Sequence, residues 1–345
     1  MLKFETRGDP FERGLQHGKC CKQIALRWMG HSLTELTKQF KVSMASDIVR
    51  MFCSKLDCWR NQWESTDSSG IAECCGIAKG LGMDEEIYFL VQFKARLLKS
   101  FNGCTIAGFS NNRGQVIIGK TDDLKDFEVG CNVLQNAQPD AGHNYTGFGF
   151  AGFIGIFSGM NECGLAAAFT GIPGPCLDRE GMPAYHSSHA VLSQCATVEE
   201  AVKFVESLKI NYYGFSVLLG DADGNLTLME KTGSGSVILP LQEGGFFLHT
   251  NHILDAEFAM RNPRQEETVD VNGRRRYENG LKLLSILPHS EGDMKEFLND
   301  RSDFGAICQE GVDGLYSDYR AVFIPAQKKI IYWPGCSCDV KEEEY

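Results

Sequence analysis

A strand–turn–strand unit that recurs along the last two-thirds of the chain is the feature that most constrains the fold. The first such unit runs from residues 105–109, through a polar turn at 111–114, to 116–118. Strands joined by turns this short pair antiparallel, whereas parallel strands need a long crossover connection. The sequence therefore predicts large antiparallel sheets rather than a doubly wound parallel sheet. The other predicted hairpins lie at 153–169, 215–229, 237–248 and 321–333.

Helix signals surround these hairpins and dominate the first hundred residues. Residues 9–12 (Asp-Pro-Phe-Glu) combine an N-cap, a proline at the first helical position and an acidic third residue. Residues 197–200 (Thr-Val-Glu-Glu) form a second capping box. Apolar periodicity predicts further helices over 84–98 and 277–287, and the charged, aperiodic stretch 255–276 is a candidate loop or lid. Antiparallel sheets with helices outside them predict a layered α+β sandwich.

Composition limits the class of partner. The 345 residues carry a formal net charge of −11 and have a pI near 5.3, which argues against nucleic acid and anionic membranes as partners. The N-terminus lacks the basic start and apolar run of a signal peptide, so we expect a cytoplasmic protein. The fourteen cysteines contain no Cys-x-x-Cys pair. We expect them to be reduced, and we expect neither a metal nor a cofactor.

The residues that could carry chemistry converge where helices give way to sheet. Cys104 begins the first strong strand and follows Gly103, whose missing Cβ would allow a strained peptide bond. Asp122 and Asp123 end the strand paired with it, so hairpin geometry brings a carboxylate near the thiol. The segment 249–252 (His-Thr-Asn-His) ends another strand and offers an amide and two imidazoles. These residues indicate a candidate site around the Cys104 thiol.

Two other groups of residues have simpler explanations. His186 and His189 are three positions apart on a predicted helix, but no third metal ligand is suggested near them, so a surface or capped pair is favoured. The three arginines at 274–276 are interpreted as a solvated patch on the predicted loop.

The sequence resembles the acyl-coenzyme A:6-aminopenicillanic acid acyltransferase family of self-processing N-terminal-nucleophile (Ntn) proteins, which also includes the insect hydrolase of β-alanyl-biogenic amines. The resemblance runs through nearly the whole chain, and its pieces occur in the order that the family has them. These pieces are 8–14 (GDPFERG) with 17–18 (HG), 76–80 (GIAKG), 103–105 (GCT), the glycines at 152, 155, 159 and 164 around Asn161, and 249–252 with the last hairpin.

The resemblance implies an αββα four-layer sandwich in one domain, 1–345, and a precursor that cuts itself between Gly103 and Cys104. The Cys104 thiol would attack the Gly103 carbonyl, an ester-like intermediate would form, and water would then release a helical segment, 1–103, from the segment 104–345. The first segment would remain as a tightly bound subunit. The new α-amine of Cys104, with a pKa near about 8, would then serve as general base.

The resemblance also assigns roles to individual residues. Asp123 matches an aspartate expected to hold the new α-amine or the substrate amine, and Asn251 matches an amide expected to donate to the tetrahedral oxyanion. With Cys104 they make up the expected catalytic set. Thr121-Asp122 stands where the family usually has Asn-Trp, which leaves open whether Asp122 or Asp123 faces the site. The expected substrate-binding residues are Asp122, His249 and Gln309.

Three functions are compatible with these observations. The first is a self-cleaving cysteine amidohydrolase that acts on a small N-acyl amine or acyl-amino-acid amide. The second is an acyl-CoA-dependent N-acyltransferase, in which an amine replaces water. The third is an unprocessed binding protein that keeps the fold without the chemistry. Gln309 stands where the penicillin-forming enzyme has an arginine, so a penam carboxylate would lack its clamp.

Overall fold

The computed structural model describes residues 1–94, 97, 102–175, 177, 180–262, 268–337 and 341–345. The helices, in chain order, are α1 (Pro10–Phe40), α2 (Ala45–Glu64), α3 (Ser68–Leu81), α4 (Glu85–Gln92), α5 (Ser188–Gln194), α6 (Val198–Ser207), α7 (Ala256–Arg261), α8 (Thr268–Ile286) and α9 (Glu291–Leu298). The strands are β1 (Leu2–Gly8), β2 (Gly103–Ser110), β3 (Val116–Lys125), β4 (Asn132–Pro139), β5 (Tyr145–Phe150), β6 (Ile156–Asn161), β7 (Ala166–Ile172), β8 (Met182–Pro183), β9 (Ile210–Tyr212), β10 (Gly214–Gly220), β11 (Leu226–Thr232), β12 (Gly235–Leu239), β13 (Phe246–His249), β14 (Glu310–Val312), β15 (Leu315–Ile324), β16 (Lys329–Pro334) and β17 (Glu343–Glu344).

Two large sheets form the centre of the molecule. The first sheet has the strand order β1-β4-β5-β6-β7-β10-β11-β12, and the second has β13-β2-β3-β15-β16-β17 with β14 beside β15. Within these sheets every pair is antiparallel except β1 with β4. Their facing sides bury a shared apolar core that includes Ile106, Phe148, Leu218 and Phe323.

Helices cover the outer side of each sheet. Apolar residues of α5 and α6, such as Val191 and Val205, join the core on the first sheet. Apolar residues of α8 and α9, such as Leu284 and Phe297, join the core on the second sheet. The order helix, sheet, sheet, helix is the predicted αββα sandwich, and the prediction is confirmed.

The helices α1 to α4 pack together near the β1 edge of the first sheet. Asp9 caps α1 by accepting a hydrogen bond from the backbone nitrogen of Glu12, as its sequence predicts. Helices α1 and α3 approach closely, because a Cβ on Gly14 would lie 2.0 Å from the carbonyl oxygen of Glu73. Gly14 and Gly18 on α1 and Gly76 and Gly80 on α3 therefore serve helix packing.

The structure corrects four details of the sequence prediction. The first hundred residues are not wholly helical, because β1 pairs with β4 in the first sheet. The predicted hairpin over 237–248 is wrong, since β12 pairs with β11 and β13 pairs with β2 in the other sheet. The predicted loop over 255–276 contains α7 and the first half of α8. Gly103 lies in regular register within β2 with no left-handed φ. Most of the predicted end of the 84–98 helix lies outside the described residues.

Candidate active site

Strand pairing decides which side chains meet the Cys104 thiol. In the β2–β3 hairpin Cys104 lies directly opposite Asp122, and Ile106 lies opposite Lys120. Successive side chains of a strand point to opposite faces of the sheet, so these four share one face. Because Ile106 belongs to the core between the sheets, this is the inner face of the second sheet.

The thiol lies in a buried, charged environment. The Cys104 Sγ donates to Asp122 Oδ1 at 3.3 Å, and the same oxygen lies 3.3 Å from the Lys120 Nζ. Burial raises the pKa of the Cys104 thiol to about 12, against the opposing effect of the Lys120 ammonium. Burial alone would lower the pKa of Lys120, but Cys104 and Asp122 raise it above its ordinary value. The intact chain therefore holds a protonated thiol between a cation and a carboxylate.

Asp122 is held by a second set of contacts. Its Oδ2 accepts a 2.8 Å hydrogen bond from Asn132 Nδ2. The backbone nitrogen of Asn132 in turn donates to Asp318, which also accepts from the backbone nitrogen of Gly130. This chain of contacts fixes the carboxylate that faces the thiol.

Asp123 lies on the opposite, outer face of the second sheet. Its Oδ1 accepts from Ser317 Oγ at 2.6 Å, and its Oδ2 lies 3.6 Å from the Arg276 guanidinium. Arg276 is fully buried and donates to the Cys104 carbonyl oxygen and to Thr105 Oγ1. Asp123 thus contacts the Cys104 thiol only indirectly, through the backbone that Arg276 holds.

Asn251 holds the peptide nitrogen of Cys104. Its Oδ1 accepts from the Cys104 backbone nitrogen at 2.9 Å and from Arg276 Nη2 at 2.7 Å, while its Nδ2 donates to the Gly171 carbonyl oxygen at 3.1 Å. Two donors on one side and an acceptor on the other fix the orientation of the amide. Since β13 pairs with β2, Asn251 continues that register towards Cys104.

His249 and Gln309 lie away from the thiol. His249 is fully buried between the sheets, with Nε2 2.8 Å from Glu230 Oε1 and Nδ1 2.7 Å from the Thr250 carbonyl oxygen. Gln309 donates to the carbonyl oxygen of Ala306 and accepts from Asn272 on α8. Of the three predicted substrate-binding residues, Asp122 alone lines the cavity described next.

A largely apolar cavity opens beside the thiol. It has a volume of about 200 Å³, and both Cys104 and Asp122 form part of its wall. Helices α1 and α4 contribute to the wall, so it needs residues from both sides of the Gly103–Cys104 bond. Its aromatic lining consists of Trp28, Phe93, Phe150, Phe153, Phe157, Tyr185, Tyr212 and Tyr213, together with the imidazole of His186.

Three polar residues of this site were not predicted from the sequence. Lys120 is two positions from Asp122, and strand alternation alone would have placed both beside Cys104. Asn132 shows no signal in a single sequence. Arg276 was interpreted as part of a solvated patch, but it is buried on α8, and only its neighbour Arg275 is exposed. Gly103 serves close packing rather than strain, because a Cβ there would lie 3.0 Å from Leu315 Cδ1 and 3.2 Å from Arg276 Nη2, tighter than most side-chain contacts.

Comparison with known families identifies the scaffold. The model of the acyl-coenzyme A:6-aminopenicillanic acid acyltransferase family matches residues 110–314, more than half of the chain. The matched segment contains Asp122, Asp123 and Asn251, and it begins six residues after Cys104. A comparison with curated protein sequences finds no match.

Several solved structures are similar to this one. The penicillin V acylase of Agrobacterium tumefaciens has a TM-score of 0.46 and 18% identity, and the match covers 69% of this chain and 85% of that one. The Caenorhabditis elegans ortholog of N-acylethanolamine-hydrolyzing acid amidase has a TM-score of 0.46 and 17% identity over 65% of this chain and 93% of that one. A mutant conjugated bile acid hydrolase from Clostridium perfringens has a TM-score of 0.47 and 12% identity over 70% and 92% of the two chains.

Three findings hold for the described residues only. None of the helices within them is long and apolar enough to cross a bilayer. No group of three or more His, Cys, Asp or Glu side chains among them is arranged to hold a metal ion. The twelve cysteines that they include are free thiols.

Proposed function

The chain belongs to the acyl-coenzyme A:6-aminopenicillanic acid acyltransferase family, whose Ntn-hydrolase scaffold makes or breaks amide bonds, and from this premise we propose a self-cleaving cysteine amidohydrolase. The observation that carries the proposal is the position of the Cys104 thiol. It lies 3.3 Å from the Asp122 carboxylate, at the wall of a largely apolar cavity. The peptide nitrogen of the same residue is held by Asn251.

The first reaction cuts the chain at the Gly103–Cys104 bond. The Cys104 sulfur attacks the Gly103 carbonyl carbon, the peptide C–N bond breaks, and the thiol proton ends on the departing nitrogen. The product is a thioester between Gly103 and Cys104 together with a free α-amine. Water then hydrolyses the thioester, which restores the thiol and leaves a carboxylate on Gly103.

The contacts around Cys104 support this step. Asp122 accepts a hydrogen bond from the thiol and is the nearby base for its proton, and the Lys120 ammonium favours the thiolate. Asn251 Oδ1 orients the nitrogen that becomes the amine, and its Nδ2 is the nearby amide donor for the oxyanion. We assign Asp123 an indirect role, because it contacts the Arg276 guanidinium that holds the Cys104 carbonyl oxygen.

The second reaction uses the liberated N-terminus. An α-amine has a pKa near about 8, so it can accept the proton of the thiol on the same residue near neutral pH. The acyl group of a small N-acyl amine is transferred to the sulfur, and water removes it. The cavity wall contains eight aromatic side chains, to which the substrate presents an apolar group, and it also contains the charged side chains of Lys94, Lys125 and Glu128. His249 and Gln309 do not line the cavity, so we assign them positioning roles through their hydrogen-bond partners, which include Glu230 and Asn272.

The segment 1–103 remains bound after the cut because it is bonded to the rest of the fold. Strand β1 pairs with β4 along its full length. The Trp28 indole donates to the Ala151 carbonyl oxygen at 2.7 Å, and the backbone nitrogen of Gly152 donates to His17 Nε2 at 2.9 Å. The Tyr88 hydroxyl donates to the Gly152 carbonyl oxygen at 3.1 Å. The segment therefore acts as a tight subunit that also completes the cavity.

Intact mass analysis of the purified protein tests the proposal. The wild type is expected to give two pieces, the larger beginning Cys-Thr-Ile, whereas Cys104→Ala gives one piece of 38.3 kDa. Cys53→Ala, which changes an exposed cysteine, is the matched control and cleaves like the wild type. A fully active wild type that begins only with Met1 would falsify the proposal.

Acyl transfer to an amine is the second candidate, because the matched family is described as an acyl-coenzyme A acyltransferase. The two reactions share the acyl-enzyme and differ in the acceptor that reaches it. Incubation of cleaved protein with an N-acyl amine, and separately with an acyl-CoA plus the free amine, distinguishes them. Release of free acid from the first mixture supports hydrolysis, and formation of amide in the second supports transfer.

A further inference from the structure

Glu230 is a buried carboxylate that holds the chain on both sides of Asn251. It lies on β11, and its Oε1 accepts from the backbone nitrogen of Leu254 at 2.6 Å and lies 2.8 Å from His249 Nε2. Its Oε2 lies 3.5 Å from the backbone nitrogen of Asp255. His249 precedes Asn251 in the chain and Leu254 follows it, so one carboxylate closes the loop that carries this amide.

The ring of His249 faces an acceptor at each of its nitrogens. Nε2 is directed at the Glu230 carboxylate, and Nδ1 lies 2.7 Å from the Thr250 carbonyl oxygen. An ionised carboxylate and a carbonyl have no proton to donate, so each ring nitrogen must supply one. Thr170 Oγ1 lies 3.2 Å from Nδ1, farther away than the carbonyl oxygen, and is a weaker second partner of the same nitrogen. This geometry is that of an imidazolium.

The charge on Glu230 requires such a partner because both side chains are fully buried between the sheets. A carboxylate without a compensating charge is costly to bury. Within the described ranges, the one ion pair of Glu230 is that with His249. The pair also faces the Tyr277 phenol of α8 and the His252 ring, whose centroid lies 6.4 Å from that of His249. Burial and the Glu230 charge both raise the pKa of Tyr277, so that phenol is neutral near neutral pH.

We propose that Glu230 is a positioning residue that holds His249 as an imidazolium and thereby fixes Asn251 beside Cys104. Asn251 Oδ1 accepts from the Cys104 backbone nitrogen at 2.9 Å. Without the ion pair the loop is released, and this amide no longer holds the nitrogen that becomes the α-amine in its reactive position. The proton on His249 belongs to the fold and is not transferred in the reaction. This inference rests on the proposed function, because it assigns Glu230 a role in that same site.

Nitrogen NMR of uncut protein tests the charge of His249. Full-length Cys104→Ala is labelled with ¹⁵N-histidine, and the signals that disappear in His249→Gln identify the ring. Both ring nitrogens are expected to be protonated near neutral pH, whereas Glu230→Gln removes the charge and leaves one of them unprotonated. Glu73→Gln removes a carboxylate from another buried ion pair, that with Arg13, and as the matched control leaves both nitrogens protonated. An unprotonated ring nitrogen in Cys104→Ala overturns the inference.

Hydrogen exchange of the backbone amide at position 104 tests the positioning, because this N–H donates to Asn251. In the Cys104→Ala background, Glu230→Gln is expected to speed its exchange about tenfold relative to that of the Ile118 amide in the same sheet. Glu73→Gln leaves this ratio unchanged. In the protein that keeps the thiol, Glu230→Gln is expected to slow self-cleavage by about 10- to 100-fold, whereas Glu73→Gln cleaves like the wild type.

The ratio of the two exchange rates separates positioning from a general loss of stability. A protein that is only less stable exchanges both amides faster together. An unchanged ratio in Glu230→Gln, or self-cleavage of Glu230→Gln as fast as that of Glu73→Gln, overturns the positioning role. The two NMR measurements use uncut protein, so a wild type that never cuts would overturn the proposed function without changing their results.

Discussion

The Asp122 carboxylate faces the Cys104 thiol because the two residues are directly opposed on adjacent antiparallel strands. Their side chains therefore lie on the same face of the sheet, and Oδ1 lies 3.3 Å from Sγ. One residue further along, Asp123 is opposed to Gly103 and points to the other face. Two consecutive aspartates are thus given different surroundings by strand alternation alone.

Replacing each aspartate separately tests this division. Asp122→Asn keeps the shape of the side chain but removes the base beside the thiol, so self-cleavage is expected to slow by about 100-fold. Asp123→Asn weakens the contact with buried Arg276 and is expected to lower the free energy of unfolding by about 3 kcal/mol. Cleavage half-times on denaturing gels and urea unfolding in the Cys104→Ala background measure the two effects. If Asp123→Asn instead slows self-cleavage and Asp122→Asn does not, Asp123 has the catalytic role that the family resemblance assigns to it.

Arg276 is expected to tolerate no substitution, not even by lysine. Its guanidinium donates to four acceptors: the Cys104 carbonyl oxygen and the side chains of Thr105, Asn251 and Asn272. A lysine ammonium has three donors in a different geometry, so Arg276→Lys leaves buried acceptors unpaired and lowers the free energy of unfolding by about 3 kcal/mol. Urea denaturation measures this loss in the free energy of unfolding. The exposed neighbour supplies the control, since Arg275→Lys should change stability by less than about 0.5 kcal/mol.

Lys120 is expected to favour the thiolate through its charge. Lys120→Met removes the ammonium beside Sγ, which should raise the pKa of the Cys104 thiol further and slow self-cleavage by at least about tenfold. Lys120→Arg keeps the charge and should restore part of the rate. The rates of fragment appearance near neutral pH test both variants. A Lys120→Met protein that cleaves as fast as the wild type would show that the charge does not matter.

Local rules explain which parts of the site the sequence predicts. The turn at 111–114 fixes the β2–β3 register, and counting back from the pair Ser110 and Val116 places Cys104 opposite Asp122. This count also identifies Lys120, so the inner face of the site could have been predicted from one hairpin.

Arg276 and Asn132 could not have been predicted in this way. Arg276 meets the site through contacts with residues far away in the chain. Asn132 is only ten positions from Asp122, but it lies on β4 in the other sheet, so the register of the hairpin does not place it. Arg276 comes from a helix whose sequence is charged on several sides, so a run of three arginines suggested solvent. The predicted hairpin over 237–248 was wrong for a related reason. A short connection usually joins two strands of a hairpin, but here it carries the chain from one sheet to the other.

Acid is expected to loosen the attachment of the first segment through His17. Burial lowers the pKa of His17 to about 4, and the neutral ring accepts a hydrogen bond at Nε2 from the Gly152 backbone nitrogen. The unfolded ring titrates near about 6.5, so the unfolded state gains a proton first as the pH falls. The titration of His17 therefore leaves the free energy of unfolding unchanged above about pH 6.5. It lowers that free energy between about pH 6.5 and 4, by about 3 kcal/mol in total.

A variant that cannot titrate isolates this contribution. His17→Gln can still accept from the Gly152 nitrogen, so its urea midpoint in the Cys104→Ala background should decline less than that of the parent between about pH 6.5 and 4. His143→Gln changes a partly exposed histidine and should follow the parent. In the cleaved protein, size-exclusion chromatography over the same range should show 1–103 dissociating at lower pH in His17→Gln than in the wild type. If all three proteins lose stability in parallel, the acid sensitivity comes from groups other than His17.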